Sequence, residues 1–473
     1  MLGIVAIGLL GLTACGTAGR VGAPAPHAAP ASHAASAPRV ASASHVASAS
    51  RAVSAPQAAA ISTSAKPVPA PAGCGPFPPQ RAWIDDVGPA GKVAWQVRLP
   101  TGPTMQGIAL QPIVIGGVAI VAETNAVYAL RLTDGRQLWK RVFPQVGSGT
   151  LAPYSALVYG LWQYRGDVIV LIGQASSASR LFSLNTATGA VRWYRPLGKQ
   201  GETGTLTLTG DGGLAMTYGF ATLTVVDLAT GKIRWGRTAG NSPGPLAVDG
   251  VLIDPAGAVH GQTLGRLLGF SSRTGKLLWT RAGMSPQPEP QLASGVVLMT
   301  TANRVTALSP TTGRTLWTVT TAGTVYGASS GPSGIAISTE HPSRLLVINP
   351  KTGTVRWRAG YLGGQTPPLD TGTDLLYQGG ASLIDLRAAN GSVRWAVPTP
   401  ATSLAQLLRV GGYAVAIGNS TKPNSPALVT AYWLATGKRA WTTKVPTFVQ
   451  VPAAVAGTHL LVQSGDLSEG CPA

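Results

Sequence analysis

The sequence is poor in charge, in histidine and in cysteine, and these shortages exclude several classes of protein. Only 11% of the 473 residues are charged, with 17 acids against 36 Lys and Arg residues. The six histidines and three cysteines have no metal-ligand spacing, and G-x-S-x-G, G-x-G-x-x-G and Walker-type loops are absent. The sequence therefore predicts no metal site, no nucleotide-cradling loop, no serine hydrolase and no cofactor.

The N-terminus resembles a bacterial lipoprotein signal. Residues 2–14 are apolar throughout, too few to span a bilayer but typical of the h-region of a signal peptide. They end in Leu-Thr-Ala-Cys at 12–15, which resembles a lipobox and predicts that Cys15 is diacylated. An ordinary signal peptide followed by a chance cysteine is the alternative. Residues 1–15 are thus interpreted as signal and lipobox, and the protein is expected outside the cytoplasm, lipid-anchored to the cell membrane.

A long Ala, Ser and Pro-rich stretch follows at residues 16–72. It has too few large apolar side chains to form a core, and we interpret it as a disordered linker. The formal net charge of the chain is +19, and no acid precedes Asp85. Such an excess favours anionic partners, and export makes lipid headgroups or envelope polymers more plausible than nucleic acid.

One sequence unit recurs nine times in the remaining residues, 73–473. Each unit ends in Gly-x-x-x-Trp, as in LTVVDLATGKIRW at 223–235, and the units lie 38 to 54 residues apart. The glycine predicts a tight hairpin turn. Two further short strands precede most units, for example at 111–123 and 245–257. Four strands in about 40 residues are typical of a propeller blade.

The unit resembles the repeat of the pyrroloquinoline-quinone-like (PQQ-like) propeller family over residues 83–473. The resemblance implies an all-β, closed propeller of four-stranded blades whose repeated tryptophans pack between neighbouring blades. The tryptophans to which it gives this structural role are Trp95, Trp139, Trp193, Trp235, Trp279, Trp317, Trp357, Trp395 and Trp441.

The phase of the repeat predicts how the ring closes. Residues 449–466 supply two strands without a hairpin, and residues 83–98 supply a hairpin without inner strands. Together they would make one blade, which removes the open sheet edge. The strict count gives nine blades, although eight are more usual in the family.

A closed ring also brings Cys74 and Cys471 together, which favours a disulfide. Two free thiols are the alternative, as is a Cys74 that belongs to the linker.

The family also contains quinoprotein dehydrogenases, which hold a quinone and calcium on the propeller axis. This chain has no adjacent cysteine pair, and among its body acids only Asp85 and Asp86 are adjacent. Asp227 and Asp385 are interpreted as turn-capping residues. An enzyme, either a quinoprotein or one acting on glycans, is therefore the secondary hypothesis.

Basic residues follow the turn glycine or precede the tryptophan in every unit. We expect the two positions to share one face, since they are two apart on a strand. Ordinary solvated lysines and arginines are one reading, and attraction to an anionic surface is the other. The candidate anion-binding residues are Lys92, Arg136, Arg192, Lys232, Lys276, Arg314, Arg356, Arg394 and Lys438.

These observations predict a membrane-tethered, non-catalytic binding or scaffold module. Within the family, the chain is most similar to the lipoproteins that assist β-barrel assembly. We expect a monomer that binds a protein or an anionic cell-envelope polymer and no nucleic acid.

Overall fold

A computed structural model describes most of the chain after residue 80. The chain divides into two units, Met1–Pro69 and Ala70–Ala473, and every described residue belongs to the second. The predicted lipidation at Cys15, the predicted linker and the predicted Cys74–Cys471 disulfide lie outside the described residues. Those residues are 81–100, 110–123, 125–144, 157–173, 179–197, 203–218, 222–238, 244–256, 265–284, 290–361, 368–399, 403–419, 425–446, 449 and 453–465.

The described residues form nine four-stranded antiparallel sheets, which we number as blades from the closing one. Blade 1 contains β1 (Arg81–Val87), β2 (Val93–Pro100), β35 (Ala454–Ala456) and β36 (His459–Gly465). Blade 2 contains β3 (Ile113–Ile115), β4 (Val118–Glu123), β5 (Ala126–Arg131) and β6 (Gln137–Val142). Blade 3 contains β7 (Val158–Tyr164), β8 (Asp167–Ile172), β9 (Arg180–Asn185) and β10 (Val191–Pro196).

The middle blades follow the same order. Blade 4 contains β11 (Thr203–Leu208), β12 (Gly213–Tyr218), β13 (Thr222–Asp227) and β14 (Ile233–Thr238). Blade 5 contains β15 (Leu246–Val248), β16 (Val251–Ala256), β17 (Gly265–Ser271) and β18 (Leu277–Met284). Blade 6 contains β19 (Gln291–Ala293), β20 (Val296–Thr301), β21 (Arg304–Leu308) and β22 (Thr315–Thr320).

The last three blades complete the series. Blade 7 contains β23 (Thr324–Gly331), β24 (Gly334–Glu340), β25 (Arg344–Ile348) and β26 (Val355–Gly360). Blade 8 contains β27 (Leu369–Asp370), β28 (Asp374–Gly379), β29 (Ser382–Arg387) and β30 (Val393–Pro398). Blade 9 contains β31 (Ser403–Val410), β32 (Tyr413–Asn419), β33 (Ala427–Trp433) and β34 (Arg439–Val445).

Burial follows the position of a strand in its blade. The second strand of blade 7, β24, is buried along almost its whole length, whereas in the fourth strand, β26, exposed residues alternate with buried or half-buried ones. The middle strands are covered on both faces because neighbouring sheets pack against each other. The outer strand is covered on one face only, which accounts for its alternation.

Blade 1 closes the ring as the sequence predicted. Strand β1 pairs antiparallel with β36, with Ala82 opposite Gly465 and Val87 opposite Leu460. The sheet order is β2-β1-β36-β35, so the two ends of the repeat region share one sheet. The all-β propeller is confirmed, and the described residues contain nine blades rather than eight.

Neighbouring blades are joined by one repeated contact between a tryptophan and a glycine. A Cβ atom placed on Gly231 would lie 2.5 Å from the Trp193 ring, so only glycine lets the indole approach this closely. The Trp193 Nε1 also donates a hydrogen bond, 3.1 Å long, to the Leu228 carbonyl of blade 4. All nine tryptophans make the equivalent two contacts with the next blade, and the last, Trp441, reaches Gly91 and the Pro89 carbonyl in blade 1.

No helix long and apolar enough to cross a membrane occurs among the described residues.

Candidate functional site: the turn face

One face of the propeller carries the two tight turns of every blade, and we call it the turn face. In a four-stranded antiparallel sheet, the turn between strands one and two and the turn between strands three and four lie at the same end. The tryptophan contacts join the second turn of each blade to the next, so these turns form a ring. All nine predicted basic positions belong to this ring.

In blades 2 to 9 the turn glycine N–H donates to the carbonyl four positions before it, and we call this position the turn slot; in blade 1 the Gly91 N–H donates to Gly88 instead. Asp227 occupies it in blade 4, where its Oδ1 accepts hydrogen bonds from the backbone N–H groups of Ala229 and Thr230. Asn185 and Asn349 cap their turns in the same way. A short polar side chain therefore stabilises the turn locally.

The residue before each tryptophan lies on a β-bulge. In blade 4, Val225 pairs with Trp235 and Val226 pairs with Ile233, so Arg234 has no partner of its own. The same shift in register occurs in all nine blades. A bulge redirects the extra side chain. The expectation that the two basic positions share one regular strand face is therefore wrong.

In blade 4 the bulge directs Arg234 into a cluster of carboxylates. Its guanidinium lies 3.0 Å from Asp211 and 2.9 Å from Asp227, and its side chain is only 14% exposed. Burial would raise the pKa of Asp211, but hydrogen bonds from Thr209, Ser272 and Arg234 outweigh it and lower that pKa below its usual value. Ser272 belongs to blade 5, so the cluster also links two blades.

Bulge arginines in three other blades also find acceptors within the protein. Arg192 contacts Asp167 at 2.7 Å, and Arg356 donates to the Ser333 carbonyl. Arg394 contacts Asp374 and lies 3.4 Å from Asp385. These four arginines are thus engaged by acceptors within the protein, and Arg394 also reaches the Leu434 carbonyl of blade 9.

The expectation that Asp385 caps a turn is wrong. Asp385 lies six residues before Gly391, whereas a capping residue such as Asp227 lies four before its glycine. The side chain of Asp385 is fully buried, and burial raises its pKa to about 7 despite the nearby charge of Arg387.

The basic residues that follow the turn glycine have a different environment. All of them are exposed, and none makes an ion pair within the part of the chain that the structure describes. Since they recur around the ring, they give the turn face free positive charge. We call them the rim cations, and they are Lys92, Arg136, Lys232, Lys276, Arg314 and Lys438.

The junction between blades 9 and 1 departs from the repeat. Asp85 is buried with one amide partner, Gln96, and burial raises its pKa to about 6. The next residue, Asp86, has a carboxylate oxygen 3.0 Å from Nδ1 of His459, and burial raises the pKa of Asp86 as well. No three His, Cys, Asp or Glu side chains converge on a possible metal site anywhere in the described residues.

An aromatic cluster also lies at this junction, and sequence reasoning missed it. Trp433 occupies the turn slot of blade 9 and is 47% exposed. Its ring centroid lies 4.4 Å from that of Tyr413, which in turn lies 6.4 Å from Trp441. An alignment of the turn slots would have singled out Trp433, because no other unit has an aromatic residue there.

Comparison with known proteins gives one family. The family model described as outer membrane protein assembly factor BamB matches residues 86–211, 179–332 and 341–468. The outer membrane protein assembly factor BamB of Yersinia pestis is 26% identical over 250 residues, which cover 48% of this chain and 58% of that protein. The match therefore spans less than two thirds of the relative's length.

Two solved structures are also similar. A eukaryotic initiation factor structure has a TM-score of 0.55 at 11% identity, covering 78% of this chain and 97% of that one. BamB from Moraxella catarrhalis has a TM-score of 0.42 at 15% identity, covering 66% of this chain and 96% of that one. At 11% identity, the likeness to the initiation factor structure concerns the fold alone.

Proposed function

Because this chain belongs to the family of the outer membrane protein assembly factor BamB, a family of PQQ-like propellers, we propose that it is a non-catalytic scaffold of the cell envelope. It is tethered outside the cytoplasm through Cys15, and its turn face docks on an anionic partner, either a protein surface or an envelope polymer. The family supports the scaffold role and an envelope location. The tether rests on the lipobox resemblance of residues 12–15.

The rim cations carry this proposal. The bulge arginines are neutralised by carboxylates or bound to carbonyls inside the blades. The rim cations stay exposed and without carboxylate partners within the described residues. A ring of such charges attracts a polyanion at long range and holds it weakly at each position. The bulge arginines therefore stabilise the fold, and the rim cations are available to a partner.

The test compares two triple variants with the same change of net charge. The first replaces Lys232, Lys276 and Arg314 of the turn face by Gln. The control replaces Arg266, Arg304 and Arg344 by Gln. These arginines are also exposed but lie in the first two residues of the third strands of blades 5, 6 and 7, at the opposite edge. We expect the first variant alone to lose most of its retention on vesicles containing phosphatidylglycerol at 50 mM salt.

Salt gives the second readout, because exposed charges are screened within about 10 Å at 0.1 M ionic strength. Wild-type retention should disappear at 0.5 M salt. Equal losses in the two triple variants, or retention that does not change with salt, would contradict docking by the turn face.

Incubation with the quinone and calcium tests the enzyme hypothesis. A scaffold should show no dye reduction with alcohol substrates.

A further inference from the structure

The aromatic cluster of blade 9 has an exposed part and a supporting part. Trp441 is fixed by its contact with Gly91 and by its hydrogen bond to the Pro89 carbonyl. Tyr413 packs beside it and is paired across the strands with Trp433. Trp433 therefore packs against a supported ring. Its own ring is inclined at 42° to that of Tyr413, and about half of its surface is exposed to water.

The fold does not need a tryptophan at this position. An indole has no acceptor for the turn N–H groups that Asp227, Asn185 and Asn349 bind. The turn of blade 9 still forms, with the Gly437 N–H donating to the Trp433 carbonyl at 2.8 Å. A residue that departs from a local rule marks a candidate functional position, and the structural gain from Trp433, its pair with Tyr413, still leaves about half of the indole in water. Trp433 replaces a turn cap with exposed aromatic surface, and large exposed aromatic surface is typical of binding sites.

The charges around the cluster select the class of ligand. Residues 403–446, which contain blade 9, include no Asp or Glu. The backbone N–H of Trp433 donates to the carbonyl of Lys438, so this exposed rim cation lies opposite Trp433 across the turn, whereas Arg439 pairs with Tyr432 on the other face of the strand. An aromatic cluster alone would also suit a quaternary ammonium ion. The adjacent positive charge of Lys438, with no acid in this blade to balance it, disfavours a cation and favours an anion with an apolar face.

We propose that Trp433 and Tyr413 form a binding site for an acidic glycan, in which one pyranose ring lies on the Trp433 indole. The apolar C–H face of the sugar covers the exposed aromatic surface, and Lys438 attracts its carboxylate groups. This site goes beyond the proposed function by naming a sugar polymer and its position. It rests on that function only for the anionic class of the partner.

The test uses the full-length protein and three probes of similar size. Tetragalacturonate carries rings and carboxylates, tetraglutamate carries carboxylates without rings, and maltotetraose carries rings without charge. Titration calorimetry should show tighter binding of tetragalacturonate than of the other two. Trp433→Asn should weaken tetragalacturonate binding about tenfold, as expected for loss of a single aromatic anchor, and leave tetraglutamate binding unchanged.

Trp433→Asn should fold normally, because Asn185 and Asn349 already occupy the same slot in blades 3 and 7. Tyr194→Asn is the matched control, since Tyr194 is an aromatic residue of similar exposure on the outer strand of blade 3. Equal affinity for tetragalacturonate and tetraglutamate would overturn the proposal, as would unchanged binding by Trp433→Asn. The Lys232, Lys276 and Arg314 variant should keep tetragalacturonate binding, so the two proposals fail separately.

Discussion

Blade 4 and the junction of blades 9 and 1 have the same backbone fold but differ in the partners that they give to their carboxylates. In blade 4, Arg234 binds Asp211 and Asp227 together. At the junction, the partner of Asp85 among the described residues is the Gln96 amide, and the turn slot and bulge of blade 9 hold Trp433 and Ala440. Blade 4 pairs its acids with an arginine, whereas at the junction Asp85 pairs with no cation among the described residues and the Trp433 ring is half exposed to water.

The comparison separates what the repeat requires from what it allows. Gly231 and Gly437 have φ angles of 68° and 69°, and both receive an indole from the preceding blade. The turn slot and the bulge residue lie outside that contact, so their side chains are free to differ. Function is expected at these two positions rather than at the glycine or the tryptophan.

The largest expected effect tests the shared part. Gly231→Ala and Gly437→Ala should each lower the free energy of unfolding by about 2–4 kcal/mol, because a Cβ would meet the indole and φ is positive. Gly411→Ala is the control, since its φ is also positive but nothing lies within 4 Å of a Cβ there. It should cost about 1 kcal/mol. Denaturant unfolding measures all three, and equal losses would mean that the indole contact contributes nothing.

The next effect concerns the ion pairs of blade 4. Arg234→Ala should cost about 2–3 kcal/mol, somewhat less than a fully buried pair, because Asp211 and Asp227 lose their partner. Arg192→Ala should cost about 1 kcal/mol or less, because Arg192 lies on the same bulge but is 55% exposed. A loss of similar size in both variants would show that exposure does not separate the two arginines.

Acids of the two regions, Asp85 and Asp211, should contribute to stability with opposite dependence on pH. The pKa of Asp85 is about 6 in the folded protein against an ordinary 3.8, so its contribution to stability is complete below pH 3.8 and is lost as pH rises through 6. Asp85→Asn should therefore stabilise the protein at pH 7.5 by about 2 kcal/mol, and not at pH 4.

Asp211→Asn provides the opposite case. The pKa of Asp211 is lowered, so its contribution is present at neutral pH and is lost as pH falls through the folded pKa. This variant should be destabilised at pH 7.5. Chemical unfolding at both pH values measures each difference from wild type, and a shared sign would contradict the contrast between the two regions.

The smallest effect is expected at the exposed tryptophan. Trp433→Asn restores a turn cap but loses the cross-strand pair with Tyr413, so its net change in unfolding free energy should stay within about 0.5 kcal/mol. Asn349→Trp in blade 7 loses a cap without gaining such a pair, and should cost about 1 kcal/mol. A large loss in Trp433→Asn would assign Trp433 to the fold instead of a ligand.

The sequence was sufficient for the parts of the fold that depend on spacing. Gly-x-x-x-Trp predicted the blades, and the missing strands of the first unit predicted the pairing of β1 with β36. The bulge at Arg234 was not predictable in this way, since a register shift changes no spacing. The partners of the bulge arginines, such as Asp211 and Asp374, come from the first turn of the blade, which has no fixed motif.

The candidate site was predicted less completely. Nine basic positions looked equivalent in the sequence, but only the structure divides them into engaged and exposed sets. Trp433 resembled an ordinary strand residue until Tyr413, twenty positions earlier, was placed beside it.

The pairing of β1 with β36 sets the order in which the chain can mature. His459 and Asp86, which meet in blade 1, are 373 residues apart in sequence. Because a chain emerges N-terminus first, β1 is exposed before its partner β36 has emerged. During that interval β1 and β2 are an isolated hairpin, which is marginally stable in water. Blades 2 to 9 can assemble in sequence as they emerge. The β1–β2 hairpin emerges first but completes its sheet last. This hairpin, which includes Asp85 and Asp86, is therefore the segment most in need of protection until β36 pairs with it.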